Sequence, residues 1–222
     1  MHGNARIAAL LALVSITSWA AEEPAPRAGQ GWTLLGAQTV GDGANVVAVE
    51  AGFPALAVTF FHGVTSIEDV GVRLAFNYGF EGLVSAIVPG MRVEGLARLR
   101  LLDTGHVNIG LRGGVGVFAY FTGAFTVPGV TIPLGLDVGI PVGSAFAIST
   151  GVGLPLFITF GNTGGLTAPI LFDAGLEYWL SKAWEANLHA RMGPALNATS
   201  PFVQVGSAQI AFELSVGMAF KL

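Results

Sequence analysis

The chain has 222 residues, 52% of them hydrophobic and only 11% charged, with a formal net charge of −4. Soluble domains carry roughly a quarter charged residues, so a mean hydropathy of +0.66 points to lipid as the solvent, and the acidic balance excludes the basic face that nucleic-acid binding needs. The absence of cysteine excludes a disulfide framework and a thiolate metal site, and nothing in the composition divides the chain into separately cored domains.

Residues 1–20 read as a signal peptide. Met1 to Arg6 is polar with one positive charge, Ile7 to Ile16 is almost wholly apolar, and Ser18 and Ala20 put small residues at both cleavage positions. The apolar run is about ten residues, half of what a membrane-spanning helix needs. Residues 21–44 are rich in Pro, Gly and Ala and read as a periplasmic lead-in, within which Trp32–Val40 is a candidate extra strand.

Residues 45–222 pose a choice between membrane helices and barrel strands. Gly113–Leu136 and Val138–Phe172 carry no charge, which a hydropathy window would score as helices. They also contain Pro128, Pro133, Pro141 and Pro155 among many glycines, and a helix interior pays about 1 kcal/mol for each Gly and about 3 for each Pro. Their branched residues recur at every second position, the period of a strand.

Taken in chain order, the alternation predicts strands near 45–52 and 56–64, with Glu50 inward and Leu56, Val58 and Phe60 outward. Val70, Val72, Leu74, Phe76 and Tyr78 then face out around Arg73 and Asn77. Met91, Val93, Leu99 and Leu101 face out around Arg92, Glu94, Arg98 and Arg100, with Leu96 the one large apolar residue on the inner side. Val107, Ile109, Leu111, Val115 and Val117 flank Arg112; Val130, Ile132, Leu134, Leu136, Val138 and Ile140 flank Asp137; Ile148, Val152, Leu154 and Leu156 flank Ser149, Gly151 and Gly153.

Towards the end, Ile170, Phe172, Leu176, Tyr178 and Leu180 alternate with Asp173, Gly175, Glu177 and Trp179, and Trp184, Leu188 and Met192 with Glu185, Asn187, His189 and Arg191. In the last stretch Ile210, Phe212, Leu214, Val216, Met218, Phe220 and Leu222 separate completely from Ala211, Glu213, Ser215, Gly217, Ala219 and Lys221. The expected fold is therefore all-β, a transmembrane antiparallel up-and-down β-barrel of about ten strands, within a range of about 8–12. Short turns at Thr65–Asp69, Asp103–Gly105, Pro141–Ser144 and Ser181–Ala183 alternate with longer connections near 80–90, 119–129, 159–167 and 194–204, as periplasmic turns alternate with outer loops.

With Leu214, Val216, Met218, Phe220 and Leu222 in place, the chain resembles the small bacterial outer-membrane β-barrel proteins and their C-terminal insertion signal, although it closes on Leu222 where Phe is usual. The resemblance implies outer-membrane residence and recognition by the barrel-assembly machinery, with outer-membrane lipid as surroundings; it implies no particular activity.

The predicted lumen holds Arg73, Arg92, Arg98, Arg100, Arg112, Arg191 and Lys221 against an equal number of acids, Glu50, Glu94, Asp137, Asp173, Glu177, Glu185 and Glu213. Buried charges persist when paired, so the expectation is a salt-bridged narrow lumen in a protein with a structural or surface-interaction role. The alternative is a narrow channel for small polar or anionic solutes, in which Arg92, Arg98, Arg100 and Arg112 form a positive ladder. An outer-membrane enzyme ranks third: the mature chain has only His62, His106 and His189, none in a catalytic motif, and His189 is read as a member of the lumen network. No metal or cofactor is expected. Phe76, Tyr78, Phe118, Tyr120 and Phe121 at one end and Tyr178, Trp184 and Phe220 at the other are read as aromatic girdles.

Overall fold

The computed structural model describes residues 31–80, 83, 87–161, 164–199 and 209–222. The expected signal peptide, the lead-in up to residue 30 and parts of the outer connections (81–82, 84–86, 162–163 and 200–208) lie outside the described residues. Among them, every regular element is a strand: β1 Asn45–Phe53, β2 Ala55–Gly63, β3 Glu68–Asn77, β4 Gly90–Asp103, β5 Asn108–Phe121, β6 Thr126–Ile132, β7 Leu134–Val142, β8 Phe146–Gly153, β9 Leu156–Thr159, β10 Gly165–Pro169, β11 Leu171–Trp179, β12 Trp184–Thr199 and β13 Gln209–Lys221. No helix there is long and apolar enough to cross a membrane.

Six of these segments are halves of three wall strands. Pro133 divides β6 from β7, Leu154 and Pro155 divide β8 from β9, and Ile170 divides β10 from β11. Each half pairs with the matching half of its neighbour, so the antiparallel sheet closes into a ring of ten strands both below the breaks, through β5–β7 pairing, and above them, through β10–β12 pairing. Closure is completed by β1 against β13, with Val46 opposite Lys221, and the Leu222 amide donates to the Asn45 carbonyl at 2.8 Å. An even strand number brings the start and end of the wall to the same rim.

The alternation read from the sequence is the alternation of the wall. On β3, Val72 and Leu74 are 49% and 55% exposed while Asp69 and Asn77 are 1% and 0% exposed. Large apolar side chains stand outward on every wall strand, an apolar surface far beyond what a water-soluble protein presents and the belt expected of a barrel in lipid. At the rim shared by the strand ends Asn45 and Lys221, Trp184 packs on Phe220 with centroids 4.6 Å apart, and Phe146 on Tyr178 at 4.5 Å.

Three readings need correction. Trp32–Val40 is no strand: it crosses inside the barrel at the same rim, with Trp32, Leu35, Ala37 and Val40 buried. Phe118 and Tyr120 point inward and are buried, because they share parity with the inward Gly116 and Arg112 on β5. The connection expected near 119–129 shrinks to residues 122–125, since β5 runs to Phe121 and β6 starts at Thr126.

Candidate functional site, an occluded and charge-lined lumen

The lumen is filled in three tiers. The lower tier is apolar: Trp32 and Val40 of the N-terminal segment pack with Val46, Ala48, Phe61, Ala147, Trp179 and Ala219, and the inward Leu96 rests on them. Strand side chains hold the backbone of that segment. The Glu177 carboxylate accepts the amides of Leu34 (2.5 Å), Leu35 (3.0 Å) and Gly36 (3.2 Å), Asn108 accepts that of Ala37 at 3.0 Å, and Asp69 that of Val40 at 3.1 Å. Arg98 donates to the carbonyls of Thr33 and Leu34 at 2.9 and 3.0 Å, and Lys221 to that of Val40 at 2.7 Å.

A turn of chain inside a barrel leaves polar backbone groups with no ladder to join, and each buried orphan costs about 1–3 kcal/mol. These side chains supply the missing partners, so the segment is a fitted plug. Gly63 of β2 accommodates it: a Cβ there would stand 1.8 Å from the Gly41 carbonyl oxygen.

The middle tier is a belt of charges in close alternation. Arg73 pairs with Glu50 at 3.2 Å, Arg92 with Glu94 at 3.3 Å, and Arg112 with Asp137 at 3.4 Å. Asp173 is the hub: it takes Arg112 at 2.8 Å, His189 at 3.3 Å, and Arg191 in direct contact. Arg191 also reaches Glu213 at 3.1 Å. Small inward residues make room for this; a Cβ on Gly153 would lie 2.4 Å from Arg191 Nη2 and 3.4 Å from Arg112 Nη2.

A cavity of about 140 Å³ lies within this tier, bordered by Arg73, Arg92, Arg112, His189, Glu213 and Ser215 and floored by Leu34 and Leu35 of the plug. The upper tier is a buried apolar cluster of Phe80, Leu83, Phe118, Tyr120, Val127, Phe157 and Leu171, while on the β1–β2 side the cavity reaches Phe53, Pro54 and Ala55. Phe118 meets Phe157 and Tyr120 edge-on at 6.2 and 5.4 Å, and Asn77 donates to the Tyr120 hydroxyl at 2.7 Å.

The sequence-predicted lumen residues divide accordingly. Glu50, Arg73, Arg92, Glu94, Arg112, Asp137, Asp173, His189, Arg191 and Glu213 meet in the middle tier. Arg98, Glu177 and Glu185 lie in the lower tier, where Glu185 accepts from Asn187 at 3.2 Å, and Arg100 sits at the rim with Asp103 at 3.3 Å. The positive ladder does not exist as such: its members Arg92, Arg98, Arg100 and Arg112 face Glu94, Asp69, Asp103 and Asp137 respectively.

Asp69, Asp103 and Asn108 are absent from the sequence-predicted set, the first two because they stand beside turns. Asp69 is 1% exposed and bonds Arg98 at 2.5 Å, while the Arg98 guanidinium lies 4.3 Å from the Phe61 ring centre. Parity with Arg73 would have placed Asp69 inside. His62 bonds Asn45 at 2.9 Å and His106 lies in the exposed turn between β4 and β5, so neither enters the middle tier. Leu214, Val216, Met218, Phe220 and Leu222 occupy the outward face of β13 and its end, between β1 and β12.

No family model matches the sequence, and comparison with curated proteins finds no match. Among solved structures the chain is similar to the outer-membrane protease OmpT from Escherichia coli, at 7% identity over 82% of this chain and 97% of that one, with a TM-score of 0.46. It is similar to the KdgM porin, at 10% identity over 80% and 98% with a TM-score of 0.36. It is also similar to the translocator domain of the autotransporter NalP from Neisseria meningitidis, at 14% identity over 81% and 88% with a TM-score of 0.38.

Proposed function

We propose that the protein is an integral bacterial outer-membrane barrel with a structural or surface-interaction role, whose lumen is a solid core and not a conducting pore. In this reading a signal peptide directs export, the barrel-assembly machinery recognises the β13 signal, outer-membrane lipid surrounds the belt, and no reaction is catalysed. The observation that carries it is the stacking of three tiers, with the plug below, matched charges around a small cavity between, and an aromatic cluster above. A conducting path needs sites weak enough to leave as well as enter, whereas each guanidinium named here has an acid partner and the plug closes one end by apolar packing.

The expected result in planar bilayers is no steady conductance from the full-length mature protein. A stable open-channel current at low voltage would overturn the proposal in favour of the narrow-channel reading.

A further inference from the structure

The three strand breaks form one horizontal seam in the wall. Below it run Leu134, Gly153 and Leu171, paired as Gly135 with Gly153 and Gly153 with Leu171; above it Ile132 pairs with Leu156, and Pro169 with Ala195. Nine, eight and nine residues of β7, β8 and β11 lie beneath the seam and seven, four and five of β6, β9 and β10 above it, so it sits within the lipid-facing belt, above its middle.

A row of unpaired amides at that depth would be intolerable, because lipid offers no hydrogen-bonding partner. The seam avoids it by composition. Pro133, Pro155, Pro169 and Pro194 have no amide hydrogen to leave unpaired, and the remaining donors are used: Leu154 donates to the Leu134 carbonyl at 2.8 Å and Ile170 to the Pro194 carbonyl at 2.9 Å.

On the outer face the seam opens into a shallow, open depression lined by Leu111, Leu134, Leu136, Val152, Leu154 and Ile170. Its back wall is Gly135 and Gly153, with the Arg112 side chain behind them. Arg112 and Leu134 border both this depression and the internal cavity, so at this point the wall is one layer of glycine backbone.

We propose that the seam is a binding site for a hydrocarbon chain, and that its occupant is one acyl chain of a membrane phospholipid. The depth selects the occupant: with wall strand on both sides of the seam, a phospholipid presents chain there, not headgroup. The lining selects it again, since every side chain at the mouth is aliphatic, and filling the depression removes lipid-exposed concave surface whose aliphatic groups lack contacts on one side.

The lack of cysteine allows a single reporter. Val138→Cys, one outward position below Leu136 on β7, and Val72→Cys on β3, three strands away around the ring, would each carry a small fluorophore in the full-length mature protein. Both would be reconstituted into vesicles containing rising fractions of phosphatidylcholine brominated midway along one acyl chain.

The expected result is quenching that rises steeply and saturates at low brominated fraction for Val138→Cys, with a gradual rise for Val72→Cys. Leu154→Trp or Ile170→Phe, which fill the depression, should abolish the steep component in variants that retain the heat-dependent gel mobility of the parent. Curves of the same shape at the two reporter positions, or a steep component unchanged in a folded filling variant, would overturn the site. Because the readout is lipid contact, either outcome is independent of whether the lumen conducts.

Discussion

Asp173→Ala is expected to destabilise the folded barrel by about 3–5 kcal/mol, the cost of removing one member of a buried ion-pair group. The Asp173 carboxylate is buried between Arg112, Arg191 and His189, which belong to three inward strand positions on two other strands. Its loss leaves two guanidiniums, whose side chains are 25% and 17% exposed, with one acid each, Asp137 at 3.4 Å and Glu213 at 3.1 Å. Those remaining pairs keep the cost within the quoted range.

The measurement is a urea titration of the lipid-reconstituted protein, with Asp173→Asn as the isosteric control that keeps one acceptor and is expected to lose less. Glu50→Ala should also lose less, because its partner Arg73 has a side chain that is 30% exposed and can re-solvate in the cavity. A loss below about 1 kcal/mol for Asp173→Ala, the range of exposed pairs, would mean that the middle tier is wet and the hub energetically idle.

Glu177→Ala should act locally. Three buried amides, those of Leu34, Leu35 and Gly36, share that one carboxylate, and orphaning them costs more than one hydrogen bond each, since a buried donor without a partner loses its solvation outright. The plug can escape that cost by undocking, whereas the wall strands cannot. Protection of the 34–36 amides against hydrogen exchange is therefore expected to fall about a hundredfold, the equivalent of about 3 kcal/mol, while the β1–β13 closure keeps its protection.

Glu177→Gln retains one acceptor oxygen and should give an intermediate loss. If Glu177→Ala instead lowered protection equally across the plug and the wall, the plug would be part of the barrel's cooperative core and not a docked segment.

The wall was legible in the sequence because lipid imposes a strict period of two: the sides assigned to Val72, Arg73, Glu94, Asp137 and Glu213 need only the identity of each residue and its neighbours. The same rule already placed Phe118 and Tyr120 inside, and the girdle reading failed because it weighed residue type above parity. Asp69 was lost in the same way, to the habit of assigning an acid beside a turn to solvent.

The plug is another matter. Its contacts join residues as far apart as Leu35 and Glu177, 142 positions along the chain, and no local pattern records which carboxylate will meet which amide. The prolines are incompatible with helices on residue identity alone, but that Pro133, Pro155 and Pro169 fall at one height depends on the register between strands, which only the closed sheet defines.

The closed transmembrane barrel is tested most directly by the mobility of the purified, refolded protein on an SDS gel before and after boiling, with circular dichroism of the same sample. A ring in which every strand has two hydrogen-bonded neighbours has no edge from which to unravel. The unboiled protein should therefore run as a compact species with a strand spectrum and shift on boiling. An identical mobility with and without boiling, together with a helical spectrum, would contradict the barrel and with it every assignment of a side chain to lumen or lipid.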